Sequence, residues 1–84
     1  MRCAMEIQNF TLSIIVTNKA GVLSRVIGLF SKRGYNIDTL YVGPKVEDPR
    51  HSRIIMTSSG DDATREQIIK QLRKIFDVQE VKLI

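Results

Sequence analysis

The chain has almost nothing with which to do chemistry. Its single cysteine, Cys3, cannot close an internal disulfide, and no CxxC spacing exists from which a zinc or iron–sulfur site could be built. Its single histidine, His51, stands in a polar stretch beside Pro49 and Arg50 and reads as a surface residue. No side chain is placed by sequence as a nucleophile with its base. Asp61 and Asp62 follow Gly60, and that order suits a turn and a helix cap better than a carboxylate pair for acid–base work. Gly21, Gly28 and Gly34 lack the spacing of a phosphate-binding loop, and Gly28 falls inside a helical pattern, where a glycine allows close packing. No apolar run approaches the roughly 20 residues that a helix needs to span a bilayer. The opening residues, MRCAMEIQNF, hold no apolar core of the roughly 7–15 residues found in a signal peptide. A cytoplasmic location is therefore expected, where a lone thiol stays reduced.

Two kinds of binding also lack support. The chain carries a net charge of +4, which leaves nucleic acid open as a partner. The cations do not form one stripe, however. Arg25, Lys32 and Arg33 fall on one helical segment, and Lys70, Arg73 and Lys74 on another. Most sit toward helix C-termini, where a cation favours the helix dipole and a solvated face is the simpler reading. Aromatic residues are scarce, and the stretch SRIIMTSS has none on which a base could stack.

What is present is the pattern of one small α+β domain. Its 84 residues bury only a modest core, so the chain gains from pairing with another subunit. Residues 1–9 read as an N-terminal extension and residues 10–84 as the folded unit. FTLSIIVT (10–17) is a strand, with Leu12, Ile14 and Val16 on one face and Ser13, Ile15 and Thr17 on the other. Asn18 to Gly21 is turn chemistry. A helix follows to Arg33, with Val22, Leu23, Val26, Ile27, Leu29 and Phe30 forming a broad apolar face and Gly34 a left-handed stop. Tyr35 to Gly43 is a second strand, with Ile37, Thr39 and Tyr41 expected on one face against Asp38, Leu40 and Val42 on the other. PKVEDPRH (44–51) reads as a polar connection, because prolines avoid central strands. Ser52 to Ser58 is a third, central strand. A second helix spans about Ala63 to Phe76, with Ile68, Ile69, Leu72, Ile75 and Phe76 expected inward, and Val78 to Ile84 is a last strand. The order βαββαβ with right-handed crossovers gives a ferredoxin-like fold, a four-stranded antiparallel sheet with both helices on one face. The second and fourth strands become its open edges.

The stretch VTNKAGVLSRVIGLFSKRGYNI (16–37) carries the remaining chemistry. A helix start behind a glycine turn offers free N–H groups and partial positive charge, which suit a carboxylate. The far end of the same helix offers carbonyls and partial negative charge, which suit an ammonium, and Asn36 adds an amide there. Two readings are open. Asn18 caps the helix and Asn36 turns the chain, with no ligand. Alternatively the two asparagines serve a small apolar amino acid. A helix of this length spans roughly 20 Å, so one chain cannot bring both to one small molecule. Two chains related by a two-fold axis, first helices antiparallel, could do so twice. Val22, Leu23 and Ile37 would then wall each site.

The same residues resemble a known family. TNKAGVLSRVIGLFSKRGYNIDTLYVGP, followed by Asp48-Pro49 and Ser52-Arg53, is similar to the ACT domain of the small regulatory subunit of acetolactate synthase (acetohydroxyacid synthase). The resemblance extends over about residues 10 to 83, and its SRVIGLFSxRGYNI run is more specific than the loop glycine shared by ACT domains at large. It implies a non-catalytic homodimer that binds valine between two ACT domains, at Asn18, Gly21, Asn36 and Ile37. It further implies a large catalytic subunit as partner, subject to feedback inhibition in valine and isoleucine biosynthesis. Thiamine diphosphate, FAD and Mg would belong to that large subunit and no cofactor to this chain. Longer family members carry a second domain after the ACT domain, and a chain ending at Ile84 agrees with a short member, a fragment or an isolated domain. A free-standing ACT-domain sensor with a different protein partner is the alternative. An acylphosphatase-like enzyme needs an arginine in the loop after the first strand, and TNKAGV has none.

Overall fold

The computed structural model describes residues 8–45 and 47–84. Cys3 and residues 1–7 of the N-terminal extension lie outside the described residues. The elements run β1 (Gln8–Thr17), α1 (Val22–Arg33), β2 (Asn36–Lys45), β3 (Asp48–Gly60), α2 (Asp62–Arg73) and β4 (Val78–Leu83). They build one antiparallel sheet in the order β2-β3-β1-β4, so β3 and β1 are central and β2 and β4 are edges, as the sequence pattern implies.

The period-2 pattern of β1 decides which face is covered. Phe10, Leu12, Ile14 and Val16 are buried, and the middle two lie opposite Met56 and Ile54 of β3. α1 sets Val22, Val26 and Phe30 against this face at four-residue spacing, and α2 adds Ile68, Ile69 and Leu72. Gly34 ends α1 at φ 72°, in the left-handed region where a side chain is strained. The chain then folds back, the Tyr35 N–H bonding the Phe30 carbonyl at 2.9 Å and the two rings meeting edge-on with centroids 6.0 Å apart. Asp61 caps α2, its carboxylate accepting the Thr64 N–H at 2.7 Å.

Four details depart from the sequence reading, each for a physical reason. β1 begins at Gln8 because Gln8 and Asn9 continue the ladder to Gly60 and Ser59. The PKVEDPRH stretch is a hairpin rather than a loose connection, with β2 reaching Lys45 and β3 starting at Asp48. Pro44 is tolerated on an edge strand, where the register shifts, and Pro49 lies beyond the last β1–β3 pair, Thr17 with His51. A bulge at Asp38 reverses the alternation of β2. Ile37 pairs with Ser58 on the helix side, whereas Thr39 and Tyr41 pair with Thr57 and Ile55 on the open side. Finally, Phe76 is 91% exposed instead of facing inward. α2 stops at Arg73, and the N–H groups of Lys74 and Ile75 bond carbonyls three residues back. That tighter turn swings Phe76 out of the position that a continued helix would give it.

Candidate ligand site at the two ends of the first helix

The N-terminal end of α1 is built by the turn between β1 and the helix. Gly21 takes φ 88°, and no side chain caps the helix. Asn18 is not the cap. Its backbone N–H donates to the Arg50 carbonyl at 2.8 Å and its Nδ2 donates to the Pro49 carbonyl at 3.3 Å. The asparagine is thus tied sideways to β3, and the first-turn N–H groups of α1 keep no side-chain acceptor. Asn18 and Gly21 are exposed and Leu23 is half-buried. Val22 is 1% exposed and packs in the core, so its contribution at this end is confined to its backbone.

Charges brace this turn from both sides. The buried Asp77 pairs with Arg25 of α1, lies 3.6 Å from Lys19 Nζ, and accepts the Thr17 N–H through its carbonyl at 2.9 Å. On the β3 side, Asp48 accepts the N–H and Nε of Arg50, each at 3.1 Å, and faces His51 Nδ1 at 2.9 Å. The Arg50 side chain and N–H, with help from His51, hold the Asp48 carboxyl well below the usual carboxylate range, and Asp48 in turn raises Arg50.

The far end of α1 delivers the chain to Asn36. This residue is exposed at the start of the β2 edge. Its Nδ2 donates to Asp38, and its carbonyl accepts the Ser58 hydroxyl. The Ser59 hydroxyl also bonds the other Asp38 oxygen at 2.6 Å. Ile37 is half-buried against the core.

The two ends do not meet. Asn36 lies opposite Ser59 whereas Asn18 bonds Pro49 and Arg50, and at about 3.3 Å per residue these positions on β3 are roughly 30 Å apart. The structure therefore brings Asn18, Gly21 and Leu23 together at one end and Asn36 with Ile37 at the other. Among the described residues, cavities open away from both ends of α1. One of about 210 Å³ is lined by Tyr41, Gly43, Pro44, Lys45, Glu47 and Arg53. Another of about 170 Å³ lies between Ile15, Lys45, Asp48, His51, Gln79 and Glu80. Among the described residues no cluster of His, Cys, Asp and Glu could hold a metal, and no helix is long and apolar enough to cross a membrane. Sequence reasoning missed Asp77 as the partner of Arg25, since 52 residues separate them and neither carries a local signal. It also missed that Asn18 is held by the carbonyls of Pro49 and Arg50.

A family model described as the AHAS small subunit-like ACT domain matches residues 12–80. The chain belongs to that family. The match runs from Leu12 to Glu80 and so includes both ends of α1. The small subunit of acetolactate synthase isozyme 3 of Escherichia coli is 53% identical over 70 residues, which is 83% of this chain and 42% of that protein. A probable acetolactate synthase small subunit of Methanothermobacter thermautotrophicus is 45% identical over 78 residues, 93% of this chain and 46% of the relative. In three dimensions the ACT fold superposes on the crystal structure of the acetolactate synthase small subunit of Thermotoga maritima with a TM-score of 0.84 at 41% identity, over 90% of this chain and 47% of that one. The chain thus spans less than half the length of these relatives.

Proposed function

We propose that this ACT domain is the amino-acid-sensing part of an acetolactate synthase small subunit. In this reading it is not catalytic. It pairs with a second copy, binds valine between the two, and adjusts a thiamine-diphosphate-dependent large subunit in the cytoplasm. The observation that carries the proposal is the uncapped start of α1 behind the left-handed Gly21, with Asn36 exposed at the opposite end of the same helix.

The arrangement of the helices supports the pairing. α1 packs toward the β2 edge and α2 toward β4. Two copies joined at their β2 edges about a two-fold axis normal to the sheet set their α1 helices side by side and antiparallel. The start of one α1 then approaches Asn36 of the other chain, twice. Leu40 and Val42 on the helix side of β2 are 39% and 42% exposed, and such a pair covers them. Leu23 and Ile27 stay half-buried on α1, and a Cβ added at Gly28 meets nothing within 4 Å, so a second helix has room to approach. Valine would place its carboxylate at the N–H groups of Leu23 and Ser24 and its ammonium among the acceptors of Asn18 and the facing Asn36. Leu23 and Ile37 would border its isopropyl group.

Isothermal titration with valine, leucine and isoleucine tests the ligand, and a pull-down of the large subunit with and without valine tests the partner. A flat titration at millimolar amino acid overturns the sensing role. Valine binding with no capture of the large subunit under either condition points to the free-standing sensor instead.

A further inference from the structure

The start of β3 is bonded more heavily than a strand end requires. Asp48 Oδ1 accepts both the N–H and the Nε of Arg50, and Oδ2 faces Arg50 Nη2 at 3.4 Å and His51 Nδ1 at 2.9 Å. Proline restricts φ at position 49 between them. The result is a closed clamp over residues 48–51, next to the turn of the β2–β3 hairpin. It aims two consecutive carbonyls at a single residue. Pro49 receives the Nδ2 of Asn18 and Arg50 receives its backbone N–H.

This fixes more than the position of Asn18. A carbonyl can only accept, so the nitrogen of the Asn18 amide has to face Pro49. The oxygen on the other arm of that planar group is turned away from Pro49. It is an acceptor, carried three residues before Gly21 at the uncapped helix start, whose N–H groups are donors. Donors for an anion and an acceptor for a cation therefore sit within one turn of chain. Of the nearby cations, Arg25 pairs with the buried Asp77 just before β4, and Lys19 lies 3.6 Å from the same carboxylate, which balances one of the two charges.

We infer that Asp48 is a positioning residue, clamping Pro49 and Arg50 so that the Asn18 amide presents its oxygen to the ammonium of an α-amino acid bound at the start of α1. The inference rests on the amino-acid reading of that site and adds a specificity to it. A branched carboxylate without an amine should be refused. Asp48 touches no ligand and acts only through the two carbonyls that it holds in place.

The test compares valine with 3-methylbutanoate, which keeps the carboxylate and the branched chain but lacks the amine. Titrations of both are made on the wild type, Asp48→Asn and Asp48→Ala, and ligand-free melts check the fold of each. The wild type should prefer valine by on the order of ten- to hundred-fold, the value of a hydrogen bond to a charged group. Asp48→Ala should lower that preference by roughly three- to tenfold, the facing Asn36 keeping the rest. Asp48→Asn keeps an acceptor for the Arg50 N–H and should retain an intermediate preference. A general loss of stability lowers both affinities together and leaves their ratio alone, so the ratio reports orientation rather than folding. An unchanged ratio in Asp48→Ala overturns the inference, as does equal binding of the two ligands by the wild type. A wild type that binds neither overturns the site reading along with it.

Discussion

Gly21→Asp separates the backbone of the helix start from its charge. At φ 88° a non-glycine residue is strained by about 1 kcal/mol, and aspartate is among those that tolerate the left-handed region best. A Cβ at this position meets nothing within 4 Å, so no clash adds to the strain. A negative charge beside a helix N-terminus favours the dipole by about 0.3–1 kcal/mol, which offsets much of it. With about 4–8 °C of melting temperature per kcal/mol in a domain of this size, the ligand-free protein should melt within a few degrees of wild type. Ligand binding should respond far more. Two carboxylates about 4 Å apart repel by about 1 kcal/mol in a water-like medium and about 4 kcal/mol at an effective dielectric constant of about 20. Because Asn18 and Gly21 are exposed, the lower half of that range applies, so valine should bind roughly five- to sixty-fold more weakly. Gly21→Ala carries the strain without the charge and should stay close to wild-type affinity. The assay is isothermal titration of the three proteins, with thermal melts alongside. If Gly21→Ala loses as much affinity as Gly21→Asp, charge is not the cause. If Gly21→Asp binds valine as well as wild type, the carboxylate does not sit at the start of α1.

Asn36→Ala should weaken valine binding and leave the melting temperature unchanged, since Asn36 is exposed and its side chain bonds only the nearby Asp38. Asp61→Ala removes the cap of α2 and should lower the melting temperature at neutral pH by several degrees. Thr64 holds the Asp61 carboxyl below its ordinary value, so the stabilisation is present above about pH 4 and fades as pH falls through the lower folded value. The variant should therefore lose less stability than wild type over that acid range, read by thermal melts. Phe76→Ser should change stability by no more than about 0.5 kcal/mol and Phe30→Ala should cost about 3–5 kcal/mol, measured by denaturant unfolding. Equal effects would mean that Phe76 is packed after all. Valine should also shift sedimentation at low protein concentration from monomer toward dimer, and an unchanged monomer fraction would sink the shared site.

Where the sequence was readable, a local period carried the information. The alternation of Leu12, Ile14 and Val16 located β1, and the spacing of Val22, Val26 and Phe30 located α1. Gly34 marked a true stop because only a left-handed residue lets Tyr35 fold back on Phe30. The failures came where a distant contact or a register change intervened. The bulge at Asp38 inserts one residue into β2, and alternation cannot reveal an insertion that depends on pairing with β3. Phe76 continues the helical spacing of Leu72, yet the backbone tightens before it arrives. At the candidate site, the turn and its glycine were legible, but the use of Asn18 was not. A residue of this type before a helix reads as a cap. Here Pro49 and Arg50 compete for its bonds from 31 or more residues away, and the helix start is left open as a result.

The distance between the two ends of α1 makes the proposed sensor depend on two copies. A single chain holds Asn18 and Asn36 roughly 30 Å apart by strand register, so it offers a ligand one half of each site. In the proposed pair both halves meet, and a ligand that needs both binds the dimer far better than the monomer. At about 100 times the dissociation constant, each occupied site favours the dimer by about 2.7 kcal/mol, so two sites tighten association roughly ten-thousand-fold. The coupling is reciprocal, so if the amino acid tightens the pairing, pairing tightens the binding of the amino acid. The exposed Leu40 and Val42 on the β2 edge are thus tied to the ligand although neither touches it. A substitution that weakens that edge should raise the valine concentration needed for half-saturation at a given protein concentration, and added protein should restore it. A site formed within one chain has no such dependence on protein concentration.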